Sequence, residues 1–174
     1  QCDSEADLPV GPDIPSFVFI QNRSNLGFSG GNNVGIKCAL SLDSFDYIWL
    51  LNNDTVVRPD ALEKLVECAG QNSSSGIFGS TVVYYNRQEV VQCVGGCFYN
   101  PMTTIFSPVR GVKQLDEVIN SEAVVPDYMY GASLFVKTEV FERCGLLNDD
   151  YFLFYEEIDF CTRAKEEGFS LGWC

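Results

Sequence analysis

The sequence predicts a single α/β domain over residues 1–174, built on a mostly parallel mixed sheet flanked by helices. Three observations lead there. Apolar runs of strand length alternate with stretches of helical periodicity, the pattern of βα units. The run "YIWLL", residues 47–51, shows no apolar–polar alternation, as expected of a strand covered on both faces. The chain has 174 residues, 46% of them hydrophobic and only 20% charged, which suits one sizeable core.

The elements follow in order. Residues 1–16 are polar and proline-rich, a loop or frayed lead-in. "FVFIQ", 17–21, reads as a short buried strand. The glycines of "NLGFSGGNNVG", 25–35, give way to a helical pattern through Val34, Ala39 and Leu40. After the strand at 47–51, Pro59 suits a first helical position. Leu62, Leu65, Val66 and Ala69 then share one face, and Gly70 marks an end. Residues 77–85 are strand-like, and 88–120 are expected to hold short strands and a loop. Two extended runs, 124–128 and 132–136, flank Gly131. Thr138 can cap a short helix ending near Gly145. A final helix spans 156–167, with Ile158, Cys161 and Ala164 inward and Gly168 as its stop.

Composition excludes some partners. Twenty-four Asp and Glu stand against 11 Lys and Arg, a net charge of −13. Such a surface repels a phosphate backbone, so nucleic acid is not an expected partner. A small phosphorylated ligand needs only local neutralisation by a metal ion or backbone amides. The eight cysteines are scattered through apolar runs and there is no histidine, so reduced thiols acting as small core residues are expected. Cys93 and Cys97 are a close pair without the second pair a zinc site needs. No apolar run reaches the ~20 residues of a membrane span, and no signal peptide is visible. The cytoplasm is the expected compartment, with the full-length protein peripheral at a membrane's inner face.

Three stretches carry candidate chemistry. Asn52, Asn53 and Asp54 end the strand at 47–51, and ligands of open α/β sheets bind beyond the strands' carboxyl ends. An aspartate there can hold a hard divalent cation beside phosphate oxygens. Taken alone, the triplet reads first as a polar turn. Between residues 25 and 35 four glycines let backbone approach a ligand and precede a helix N-terminus. The spacing fits neither the dinucleotide nor the P-loop signature, and a glycine-rich turn accounts for it equally. Asp149, Asp150, Glu156, Glu157 and Asp159 gather at a helix start, where carboxylates are common for electrostatic reasons alone. The aromatic run 151–155 beside them could form an apolar wall that raises a carboxylate's proton affinity.

Together, "NLGFSGGNNVGI", "YIWLLNNDTVVRPDALEKLV" and "DYMYGASLFVKTEVFERCGLLNDDYFLFYEEIDFCTRAKEEGF" resemble glycosyltransferase family 2. The likeness is to its bacterial rhamnosyltransferase-like branch, which builds cell-surface polysaccharides. The resemblance implies a glycosyltransferase A-type, Rossmann-like fold and an inverting transfer. It further implies a nucleotide-diphosphate sugar donor, a saccharide or lipid-linked saccharide acceptor, and Mg²⁺ or Mn²⁺. By position, Asp54 would hold the metal, with Asn52 and Asn53 near the ribose or diphosphate. Asn25, Gly27, Gly30, Gly31 and Asn33 match the segment along the nucleotide, and Gly131 and Ala132 the place left open for the donor sugar. Glu156-Glu157-x-Asp159 matches the acidic motif whose second acid is the general base. That points to Glu157, with Asp159 capping or pairing with Arg163.

The departures from the family are specific. No Asp-Asn-x-Ser-like segment precedes residue 17, and the downstream histidine common in this branch is missing. A fragment lacking the first strand and the tail is therefore expected, with an exposed sheet edge able to self-associate. Two other readings stay open: a nucleotide-sugar-binding module without turnover, and a sugar-phosphate nucleotidyltransferase. The second lacks its Arg- and Lys-bearing glycine loop. A purely structural interaction domain would follow if no nucleotide binds.

Overall fold

A computed structural model of the protein describes residues 17–119, 122 and 124–174; the expected lead-in at 1–16 lies outside them. In chain order the first elements are α1 (Gly27–Ser41), β1 (Tyr47–Leu51), α2 (Ala61–Gln71), β2 (Ser75–Gly79) and β3 (Thr81–Tyr84). There follow β4 (Arg87–Val94), β5 (Gly96–Asn100), β6 (Ile105–Pro108), α3 (Leu115–Ile119) and β7 (Tyr128–Met129). The last are β8 (Ser133–Lys137), α4 (Thr138–Cys144), α5 (Glu156–Glu166) and β9 (Ser170–Trp173). The stretch 88–119 holds the expected short strands and adds the helix α3, and β9 follows a helix that was expected to be the last element.

Four strands form the central sheet, in the order β1-β8-β2-β9. It is mixed rather than mostly parallel. β8 runs antiparallel to both β1 and β2, and only β2 and β9 are parallel neighbours. A fully covered run such as "SLFVK" has no alternation to betray its direction. Its reversal has a functional result. The start of β8 lies beside the end of β1, with Leu51 opposite Ser133, and the Asn52 N–H donates to the Ala132 carbonyl at 3.1 Å. Ile36 on α1, Phe141 on α4 and Phe160, Cys161 and Ala164 on α5 close over the sheet with Ile77, Leu134 and Val136. On the other face, Leu65 and Ala69 of α2 pack on Phe78 and Phe135.

Several expectations are corrected. The run 17–21 keeps only a single bridge residue at Ile20, and Phe17 and Phe19 are largely exposed. α1 begins at Gly27, so the glycine-rich segment is the first turns of a helix and not a loop. Its start is fixed by the Asn25 Oδ1, which accepts the Gly27 N–H at 3.0 Å, and by the Phe152 carbonyl, which accepts the Phe28 N–H at 2.8 Å. In α2, Leu65 and Ala69 turn inward but Leu62 and Val66 are exposed; α2 spans only one layer of a sheet whose edge is β1. The helix passes Gly70 to Gln71, where Asn72 donates to the Cys68 carbonyl. Thr138 starts α4 but caps nothing, its hydroxyl turning to the Asp46 carbonyl.

The thiols are also revised. Cys68 and Cys174 form a disulfide across 106 residues, joining α2 to the end of β9, which no local pattern reveals. Cys93, Cys97, Cys144 and Cys161 are free, and of these all but Cys144 are buried. The Cys93 thiol donates to the Gly96 carbonyl and lies within hydrogen-bonding reach of the Cys97 sulfur.

Candidate functional site

An open cleft of about 280 Å³ lies between the first turns of α1 and the end of β1, lined by Gly27, Phe28, Gly31, Asn32, Leu51, Asn52 and Asn53. The polar triplet sits here because β1 ends at Leu51 and the chain turns at once. The Thr55 N–H and hydroxyl both close onto the Asn52 carbonyl, at 3.2 and 2.6 Å. That turn leaves Asn53 and Asp54 exposed. Gly31 has open space where a side chain would be, so backbone alone faces the cleft. Gly27 adopts φ +72° and lies against Phe152, whose carbonyl oxygen would be 2.3 Å from a Cβ there; glycine is required on both counts. A Cβ on Gly30 would meet Leu26.

Asn33 serves inside the protein. It is 4% exposed. Its amide donates to the Leu147 carbonyl at 2.8 Å and to Asp149 Oδ1 at 2.5 Å, and its oxygen accepts the Leu147 N–H at 3.1 Å. Asn33 thereby ties α1 to the loop leading into the aromatic run.

Across the strand step lies the acidic motif. Glu156 and Glu157 open α5. Glu157 is partly buried, and its carboxylate accepts the Gly131 N–H. A methyl group on Gly131 would stand 2.0 Å from Glu157 Oε1, so the space beside this glycine is filled by the carboxylate. Ideal helix spacing predicts that Glu156 points about 100° away. Instead the two carboxyl groups hydrogen-bond to each other, since long side chains in a first turn can fold toward the same pocket. Glu156 is 2% exposed, and its Oε2 has no donor among the described residues unless Glu157 supplies a proton.

Burial, and then the Glu156 charge, push the Glu157 carboxyl up to about 7; burial raises Glu156 as well. The groups that face Glu157 electrostatically are Cys97, Tyr128, Tyr130 and Cys161. Tyr128 itself is raised, mainly by burial. The expected aromatic wall contributes little to this burial, because residues 151–155 are exposed. The sequence marks Cys97 only as a close pair with Cys93 and does not mark Tyr128, since pairing of β5 with β7 brings the two together across long intervals. Asp159 is committed to Arg163 at 2.8 Å, and that guanidinium also holds the Cys144 and Leu146 carbonyls.

Two clusters therefore meet at one end of the sheet. Asn52–Asp54 and the start of α1 form one, Gly131 and Glu157 the other, and the Ala132 carbonyl joins them. Among the described residues no three His, Cys, Asp or Glu side chains converge as a metal cage. A single exposed carboxylate fits the mode in which Mg²⁺ takes one or two carboxylates and completes its shell with phosphate oxygens and water.

A helix-flanked mixed sheet with a cleft and paired acids at the strand ends accords with the nucleotide-sugar transferase fold that the following family match implies. The sequence profile of the family described as "Glycosyltransferase like family 2" matches residues 14–174, and the chain belongs to that family. It is 28% identical over 156 residues to the low-salt glycan biosynthesis hexosyltransferase Agl10 of Haloferax volcanii. That alignment covers 90% of this chain and 48% of Agl10; the chain spans about half the length of this curated relative. Among the described residues no helix is long and apolar enough to cross a membrane.

Proposed function

We propose that the protein carries the catalytic site of an inverting glycosyltransferase, moving a sugar from a nucleotide-diphosphate donor to a hydroxyl acceptor. The observation that supports it best is the Gly131–Ala132 step. It sets a carboxyl of raised proton affinity one residue from the backbone that anchors the Asn52–Asp54 turn. The donor's diphosphate lies in the cleft, against the backbone of Gly31 and the amides of Asn52 and Asn53. Asp54 would hold Mg²⁺ or Mn²⁺, which would supply positive charge to offset that of the leaving diphosphate. Glu157 takes the proton from the acceptor hydroxyl as its oxygen attacks the anomeric carbon from the face opposite the diphosphate. A carboxyl poised near 7 is suited to this, being partly ionised at neutral pH yet basic enough to accept a proton. Glu156 shares the proton, and Asp159 with Arg163 fixes the helix that presents the base.

The family match and the glycan-building relative support a role in cell-surface polysaccharide or glycan synthesis, and the motif order favours the rhamnosyltransferase-like branch. On this reading the whole protein works at the inner face of a membrane on a saccharide or lipid-linked saccharide. The test is calorimetric titration of nucleoside diphosphates with and without divalent metal. Metal-dependent binding that Asp54→Ala abolishes is expected; metal-independent binding unchanged by that substitution would overturn the donor assignment.

A further inference from the structure

The hairpin of β5 and β6 leaves the protein body beside Glu157. In its register Cys97 faces Pro108, and Tyr99 faces Phe106. Side chains two apart on a strand share a face, so Tyr99 and Phe106 lie on the side of Cys97, the side turned to Glu157. They stand one repeat, about 7 Å, further out. Tyr155, which immediately precedes α5, meets Tyr99 edge-on with ring centroids 6.1 Å apart. Rings from β5, from β6 and from the residue before α5 thus gather on the Glu157 side of the hairpin. Tyr99 is seated against the core, while Phe106 is 56% exposed and Tyr155 40% exposed. Phe154 and Tyr155 also hold φ of +71° and +72°, a left-handed conformation that is costly for bulky residues and concentrates at functional sites.

We infer that Tyr99, Phe106 and Tyr155 form a stacking wall for a neutral pyranose ring of the acceptor. The assignment rests on the glycosyltransferase reading of Glu157 and adds where the acceptor sits. Charge selects the occupant. Asp127 accepts the Tyr99 N–H at 2.9 Å, Asp149 and Asp150 lead into the aromatic loop, and the chain carries −13 overall. A phosphate or an anionic headgroup is repelled here. A bare alkyl chain would strip water from carboxylates without replacing their hydrogen bonds. A neutral sugar satisfies both needs: its C–H face meets the electron-rich ring faces, and its hydroxyls bond to acids. It is also continuous with the base, which must receive a hydroxyl proton.

Saturation-transfer NMR on the whole protein tests this, using methyl pyranosides of gluco, galacto, manno and rhamno configuration as probes. Ring C–H signals are expected for at least one sugar. They should fall at least fivefold in Phe106→Ser and Tyr99→Ala, and persist in Tyr155→Phe, which keeps its ring. Phe106 is exposed enough that its replacement leaves the fold intact, as a thermal melt would verify. No contact with any of the sugars, or contact unchanged in Phe106→Ser, would overturn the wall. So would ring-dependent binding to neutral phosphatidylcholine vesicles without sugar contacts, or a dimer that Phe106→Ser dissociates. Sugar contacts that need the rings, in a protein that binds no nucleoside diphosphate, would support the wall while overturning the transferase reading.

Discussion

Gly131 and Glu157 share one space: the carboxylate oxygen of Glu157 occupies the position next to Gly131 that any larger residue would claim, 2.0 Å from a Cβ placed there. Gly131→Ala therefore forces the carboxylate aside. Because the displaced atoms end a flexible side chain, the fold should lose only about 1–2 kcal/mol. Transfer should fall by about 10²-fold or more, since a misplaced base loses most of its effect. Thermal melts beside single-turnover transfer by the whole protein separate the two effects. A Gly131→Ala protein with native rates would show that Glu157 need not sit there.

The raised Glu157 proton affinity sets a pH signature. Transfer should rise with pH through about 7, as the base ionises. Glu157→Gln should flatten that profile and cost about 10²–10⁴ in rate. Stability moves oppositely. Below pH 4.5, the ordinary value, the group is protonated in folded and unfolded chains alike. Between 4.5 and about 7 only the folded chain keeps the proton, so stability falls as pH rises. At pH 8 Glu157→Gln should be more stable than the native protein, by on the order of 1–3 kcal/mol. Urea melts at pH 4 and 8 check it, and an equal effect at both would refute the shift.

Asp54 is exposed on a turn that other atoms close, so Asp54→Ala should leave the melting temperature within about 2 °C. Chelator should weaken nucleoside diphosphate binding in the native protein and make no difference in the mutant. Calorimetry reads both outcomes, and a chelator effect that survives the substitution would remove Asp54 from the metal site.

Asn33 links α1 to the 147–149 loop through three hydrogen bonds. Asn33→Ala leaves buried Leu147 groups unpaired and should cost about 2–3 kcal/mol. Donor binding should weaken as well, because the start of α1 lines the cleft. A urea midpoint that does not move would show the bonds to be replaceable.

The sequence announced the features that depend on neighbours along the chain. The polar triplet after an unalternating strand, the glycine before β8 and the paired acids opening a helix all follow from local period and punctuation. What it hid depends on distant partners. The helical start of the glycine segment is held in part by Phe152, far along the chain, which accepts the Phe28 amide. β8 is reversed, and a fully buried strand reads the same in either direction. Cys68 and Cys174 looked like core residues until the sheet brought them together. Leu62 and Val66 share the inward residues' period yet face out, since one helix covers only part of the sheet at an edge. Tyr128 beside Glu157 required the pairing of β5 with β7.

The central sheet takes no strand from the stretch between Gly79 and Ser133; β3 to β7 build two smaller sheets of their own. The start of α1 and the Asn52–Asp54 turn precede this insert and Glu157 follows it, while the hairpin that reaches toward a receiver belongs to the insert. A change in the length of the β5–β6 hairpin therefore alters what stands beside Glu157 without breaking any strand pairing of the central sheet.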